Sequence, residues 1–158
     1  MSSTDVRTAT EDLGSQLPID FARGLKTLDH SLDRCLAELF RPLGLTCVQA
    51  DVLMALLDIG PTSLAGLSEH VIAESGHPSR LVARMADRGL LDTAPSADDR
   101  RAIVISLTDR GRSLAEQARA LQLKLIDSTF NGIDQQDLAR AIALMRRIER
   151  SFELTRAV

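Results

Sequence analysis

Arg80, Arg84 and Arg88 recur every fourth residue. On an α-helix that spacing stacks them on one face. A guanidinium offers a planar fork of donors that suits phosphate oxygens and base edges, so such a face points to an anionic partner. Leu81, Val82 and Met85 take the opposite side, which lets a core hold the helix while the arginines face out. Gly76, His77 and Ser79 precede them. Small or polar residues at a helix start leave free N–H groups open to a phosphate, and Arg80 in the first turn can pair with a guanine. A second group stands at 98–101, Asp-Asp-Arg-Arg, where a carboxylate beside a guanidinium orders it in advance of contact.

Other chemistries find little support. His30, His70 and His77 fall on different expected elements, away from the i, i+4 spacing of a helical metal pair. No nucleophile–base constellation or glycine-rich phosphate loop stands out, so neither an enzyme nor a cofactor is expected. Cys35 and Cys47 have no metal or disulfide spacing. Cys47 follows Thr46 at an expected helix start, where a thiol pKa can be lowered. It is the candidate redox residue, with Cys35, on an apolar seam, behind it.

The composition is 44% hydrophobic and 3% aromatic, without Trp or Tyr. The core must be aliphatic, which favours helices. A net charge of −3 argues against a nucleic-acid partner until it is divided along the chain. Residues 1–75 carry −6, residues 76–112 carry +2 and residues 113–158 carry +1. No apolar run approaches membrane-spanning length, and the polar start MSSTDVRTATEDLGSQLP lacks a signal-peptide core. A cytoplasmic protein without membrane contact is the expectation.

The elements that must position these residues follow from periodicity. Residues 1–17 are expected as a flexible arm. Residues 18–44 form a helix whose seam is Phe21, Leu25, Leu28, Leu32, Cys35 and Leu39, stepping by 4 and 3. Thr46 caps a second helix, stopped by Gly60-Pro61. A short extended piece and a short helix follow, then a turn at 73–78 and the arginine helix over 77–88, ended by Gly89. Strands near 90–94 and 101–107 make a hairpin. Thr108 starts a helix to about 129, and Asp134 starts the last one. The order over residues 45–107 is that of a winged helix-turn-helix, whose second turn helix enters the DNA major groove. The fold class expected is mainly α, a winged helix-turn-helix with a small β-hairpin wing, flanked by long dimerisation helices at 18–44 and 108–158.

Two stretches, SRLVARMADRGLL and DDRRAIVISLTDRGR, resemble the recognition helix and the wing of the MarR family of bacterial transcriptional regulators. The resemblance extends over nearly the whole chain after residue 18. It implies a homodimer on a palindromic double-stranded DNA site, acting as a repressor weakened by a small ligand or oxidant. It also implies that Arg100 enters the minor groove, Asp98 aims it, and Arg101 lies on phosphate or braces the hairpin. A narrow minor groove is strongly negative and favours an inserted guanidinium. One departure is Asp92-Thr93 after the Gly-Leu exit, where the family commonly has a basic residue. The family's ligand cleft would be lined here from 19–40, 48–57 and 110–121, with Arg23, His30 and Arg34 as anion holders for an aromatic or amphipathic ligand. The alternatives are a winged-helix protein–protein module without DNA binding and a thiol-based redox-sensing regulator.

Overall fold

A computed structural model describes residues 3–71, 78–95 and 103–156. They fall into two compact units, one up to Gln122 and one from Leu123 onward.

The first unit opens with α1, Ser3–Phe40. The helix begins at Ser3, where the sequence led to the expectation of an arm up to residue 17. Pro18 lies inside it and forfeits one backbone hydrogen bond without ending the helix. Phe40, fully buried, anchors the end of α1. A 3-10 turn, Arg41–Leu43, closes on Gly44 at φ +67°. That left-handed backbone costs glycine little and redirects the chain into α2, Cys47–Ile59.

Thr46 and Gln49 form a reciprocal capping box on α2. The Thr46 hydroxyl accepts from the Gln49 N–H at 3.3 Å, and Gln49 Oε1 accepts from the Thr46 N–H at 3.1 Å. Then come β1, Thr62–Ser63, and α3, Leu64–Ser68, whose cap is Ser63. The arginine helix is α4, Pro78–Asp87. Its end is a Schellman closure: Leu90 N–H donates to Met85 O at 3.0 Å and Gly89 N–H to Ala86 O at 2.7 Å.

β2, Leu91–Pro95, and β3, Ile103–Leu107, are antiparallel, with Leu91 opposite Leu107 and Pro95 opposite Ile103. β3 also pairs with β1, so the sheet order is β1-β3-β2. The extended pair Thr62–Ser63 thereby fastens the hairpin to the turn between α2 and α3. Ile103 and Ile105 share one face of β3; Ile105 is buried in the core, and Ile103, at the loop end of the hairpin, is exposed. Pro95, without an N–H, sits on an edge strand where the loss is tolerated. Leu53, Met85, Leu90 and Ile105 are fully buried at the centre of an aliphatic core drawn from α2, α4 and the hairpin.

α5, Asp109–Phe130, starts against this core. The Thr108 hydroxyl accepts from Gly111 N–H at 2.9 Å and donates to Gly89 O at 2.8 Å. Gly111 is buried against the Leu90 carbonyl, where a Cβ would collide with the backbone. Further along, Arg119 donates to Asp58 at 2.7 Å and to Met54 O at 3.1 Å, tying α5 to the end of α2.

In the second unit, the end of α5 turns at Gly132, φ +90°, into α6, Gln135–Arg156. Asp134 caps α6 by accepting from Gln136 N–H at 2.7 Å and Asp137 N–H at 3.3 Å. Among the described residues of this unit none is buried, and Phe130, Ile142, Met145 and Phe152 are exposed. The first unit has a similar feature on α1, where Phe21, Leu28 and Leu32 are exposed while Leu36 and Leu39 pack on the core.

Candidate nucleic-acid interface

α4 is asymmetric in the way its sequence requires. Val82 and Met85 are buried and Leu81 is half-buried. Ser79, Arg80 and Arg84 are exposed. Among the described residues neither Arg80 nor Arg84 has an ion-pair partner, so both guanidinia are left to meet an external anion. Gly76 and His77 lie outside the described residues.

Arg88 departs from the stripe. Its guanidinium turns back to the protein, donating to Gly44 O at 2.9 Å and to Gln49 Oε1 at 3.0 Å. Spacing stacks it with Arg80 and Arg84, but two turns from the helix tip, where a contact to the DNA backbone or none is the expectation. The reason it differs is position: Arg88 follows α4, one residue before Gly89 turns the chain, within reach of the α1–α2 corner. The sequence signal for its partner was the Gln at the third position after Thr46, which reads as a cap and gives no hint of a second bond.

The wing's strands are in place up to Pro95 and from Ile103, their last paired residues. Residues 96–102 join them, and Asp98, Arg100 and Arg101 lie outside the described residues. β2 itself carries no basic side chain, and Asp92 and Thr93 are exposed on it. The base of the wing therefore offers a carboxylate where a phosphate contact would need a cation.

A groove of about 830 Å³ runs between α1 and α2. Leu32, Ala37, Leu45 and Val48 give it apolar walls, but Asp29, Asp33 and Asp51 line it as well, with Arg41 as the cation. The expected anion holders Arg23, His30 and Arg34 are exposed on α1 and are not in its lining. Helical phase explains the correction. Positions 29, 33 and 37 share the face toward α2; at 100° per residue, positions 30, 23 and 34 lie about 60°, 80° and 100° from the centre of that face, at its edge or beyond. Arg23 instead pairs with Asp20 at 3.2 Å.

Partial burial raises the Asp51 pKa above its ordinary value, and Asp33 nearby adds to the rise. The same surroundings act on Cys47. Burial first, then the charges of Asp51 and Asp33, push its thiol up, against a smaller lowering by a backbone hydrogen bond. The shift is opposite to the expected activation at a helix start: burial first, and then the local carboxylates, disfavour the thiolate that redox chemistry needs. Cys47 Sγ lies 3.8 Å from Asp33 O. Cys35, expected on the apolar seam, is exposed.

Among the described residues no group of three or more His, Cys, Asp or Glu is placed to hold a metal ion. No single helix among them is long and apolar enough to cross a membrane.

Residues 45–111 match a family model described as a winged helix DNA-binding domain. The repressor IacR of Pseudomonas putida is 28% identical over 102 residues, covering 65% of this chain, which spans 61% of the length of IacR. The multiple antibiotic resistance protein MarR of Escherichia coli is 26% identical over 113 residues, 72% of this chain and 78% of MarR. A crystal structure of a MarR mutant complexed with operator DNA shares the fold, with a TM-score of 0.73 at 22% identity over 82% of this chain and 94% of that one. BpsR of Bordetella bronchiseptica, whose structure concerns regulation of its DNA binding by 6-hydroxynicotinic acid, gives a TM-score of 0.71 at 24% identity over 81% and 91%.

Proposed function

We propose, from the winged helix DNA-binding domain over residues 45–111 and the likeness to IacR and MarR, that the chain is a MarR-family DNA-binding regulator, a homodimeric repressor whose grip on a palindromic operator is released by a small amphipathic ligand. The observation that carries the DNA-binding half is the division of α4. One face is locked into the core by Val82 and Met85, and the other presents Ser79, Arg80 and Arg84 without partners among the described residues.

In this reading α4 lies in the major groove, with Arg80 and Ser79 nearest the base edges and Arg84 on the flanking backbone. Arg100 at the wing tip enters the minor groove, oriented by Asp98, and Arg101 holds phosphate or braces the hairpin. The missing base-of-wing cation at Asp92 lowers the count of phosphate contacts, so non-specific affinity is moderate while salt dependence stays steep. Dimerisation would cover the apolar side chains left exposed on α1 and α6. Release by a ligand is supported by the naming of BpsR regulation by 6-hydroxynicotinic acid and by the apolar walls of the α1–α2 groove. Its three carboxylates disfavour an acid there, so the ligand for this groove is neutral or cationic.

The test is fluorescence anisotropy on DNA from upstream of the protein's own gene. Arg84→Ala and Arg100→Ala should each weaken binding by about 1–3 kcal/mol, with folding intact by circular dichroism. Unchanged affinity in both variants would refute the assigned interface and favour a winged-helix module that binds protein instead.

A further inference from the structure

Arg88 joins three elements at one point. Its guanidinium spans Gly44 O in the corner after α1 and Gln49 Oε1 in the first turn of α2, at 2.9 and 3.0 Å. Its own carbonyl accepts from Arg110 Nη1 of α5 at 3.0 Å. The Gln49 oxygen also accepts from the Thr46 N–H at 3.1 Å, so the cap of α2 and the clasp on α4 share an atom. Gly44 and Thr46 in turn line the α1–α2 groove.

α4 itself has only ten residues and buries just Val82 and Met85. With Leu81 and Ala86 packed beside them only partly buried, these anchors hold a short helix against a core through its apolar face and leave the direction of its C-terminal end to polar contacts. A planar fork bonded to two acceptors at its C-terminal end supplies the missing restraint. We propose that Arg88 is a positioning residue for DNA binding: by clasping the α1–α2 corner it sets the direction in which α4 presents Arg80 and Arg84, and it touches no phosphate. The same clasp makes the groove wall and the recognition helix mechanically continuous. The inference rests on α4 being the DNA-reading helix.

Positioning and phosphate contact give different signatures. In the full chain, affinity for the upstream DNA is measured by anisotropy over a series of salt concentrations, for wild type, Arg88→Ala, Arg88→Lys and Gln49→Ala. A positioning residue predicts that Arg88→Ala weakens binding about five- to twenty-fold at fixed salt, as loss of two charge-assisted bonds would. The slope of log K against log salt stays unchanged, because no counterion-releasing contact is lost. Lysine does not restore affinity, having no fork for two acceptors. Gln49→Ala weakens binding in the same direction, and the double variant is no worse than Arg88→Ala alone.

A slope reduced by about one, with rescue by lysine, would make Arg88 a phosphate contact and overturn the proposal. A lowered melting temperature with affinity unchanged would reduce the clasp to a structural one and overturn it equally. Hydrogen exchange on the DNA-free protein separates this from failure of the regulator reading. Arg88→Ala should speed exchange of the α4 amides more than those of α2 and α5, and uniform exchange would count against the clasp. Absence of DNA binding by wild type would instead sink the regulator reading.

Discussion

Single side chains on α2 have opposite electrostatic fates. Asp58 is held below its ordinary value by the hydrogen bond from Arg119, whereas burial and Asp33 raise Asp51. For Asp51 the folded chain holds the proton more tightly than the unfolded one. Its contribution to stability is therefore present below the ordinary value of 3.8 and lost as pH rises through the raised one. At neutral pH the charged form is a liability. Asp51→Asn should raise the melting temperature at pH 7, and the gain should shrink as pH is lowered toward 4; a lower melting temperature at pH 7 would show the carboxylate has a compensating partner. What the sequence conveyed at this scale was identity and phase, and neither includes neighbours from other helices. Thr46 was legible as a cap and Ser79, Arg80 and Arg84 as an outward face because both depend on local spacing. The Arg88 clasp was not, because Gln49 meets it across the fold, and the raised Cys47 thiol was not, because it depends first on burial and also on Asp33 of α1 as well as on Asp51 one turn along its own helix.

Elements were legible where local chemistry determines them. The hairpin strands, the turn at Gly89 and the starts of α5 and α6 follow from β-branched runs, a left-handed glycine and the caps Thr108 and Asp134. The start of α1 was not, since the polar sequence there has no apolar periodicity to reveal a helix. The short pairing of β1 with β3 was also hidden, because two residues are too few for an alternation pattern. The junction between hairpin and α5 gives a sharp test of packing. Gly111→Ala would drive a Cβ into the Leu90 carbonyl and should cost about 1–3 kcal/mol or more, read as a lowered urea midpoint. Gly24→Ala, in the middle of α1 with nothing near the added methyl, should instead be neutral or stabilising by about 0.5–1 kcal/mol. Equal effects at the two sites would contradict the close approach at Gly111. The same junction explains the spacing of LTDRG: the threonine caps α5 and the glycine three residues on lets that helix lie against the end of α4.

At the scale of the whole molecule, charge and exposed apolar surface make the case together. A net charge of −3 gives no hint of a DNA partner, but residues 76–112, with α4 and the wing sequence, carry +2 while residues 1–75, poor in Lys and Arg, carry −6. Apolar residues are left open on α1 and on α6, with Leu28 59% and Phe152 66% exposed, and a partner chain would take them from water. Light scattering should give about twice the 17.2 kDa chain mass, and Phe152→Glu together with Leu28→Glu should shift it toward the monomer; a stable wild-type monomer would remove the basis for palindrome recognition. The central claim is that this surface reads DNA, and the most direct measurement is a mobility shift of the wild-type protein on DNA from upstream of its own gene, with unlabelled non-specific DNA in excess and salt varied. A discrete complex that resists the competitor and weakens steeply as salt rises is the expected result. A complex that the competitor abolishes, or none at any salt concentration, would contradict it.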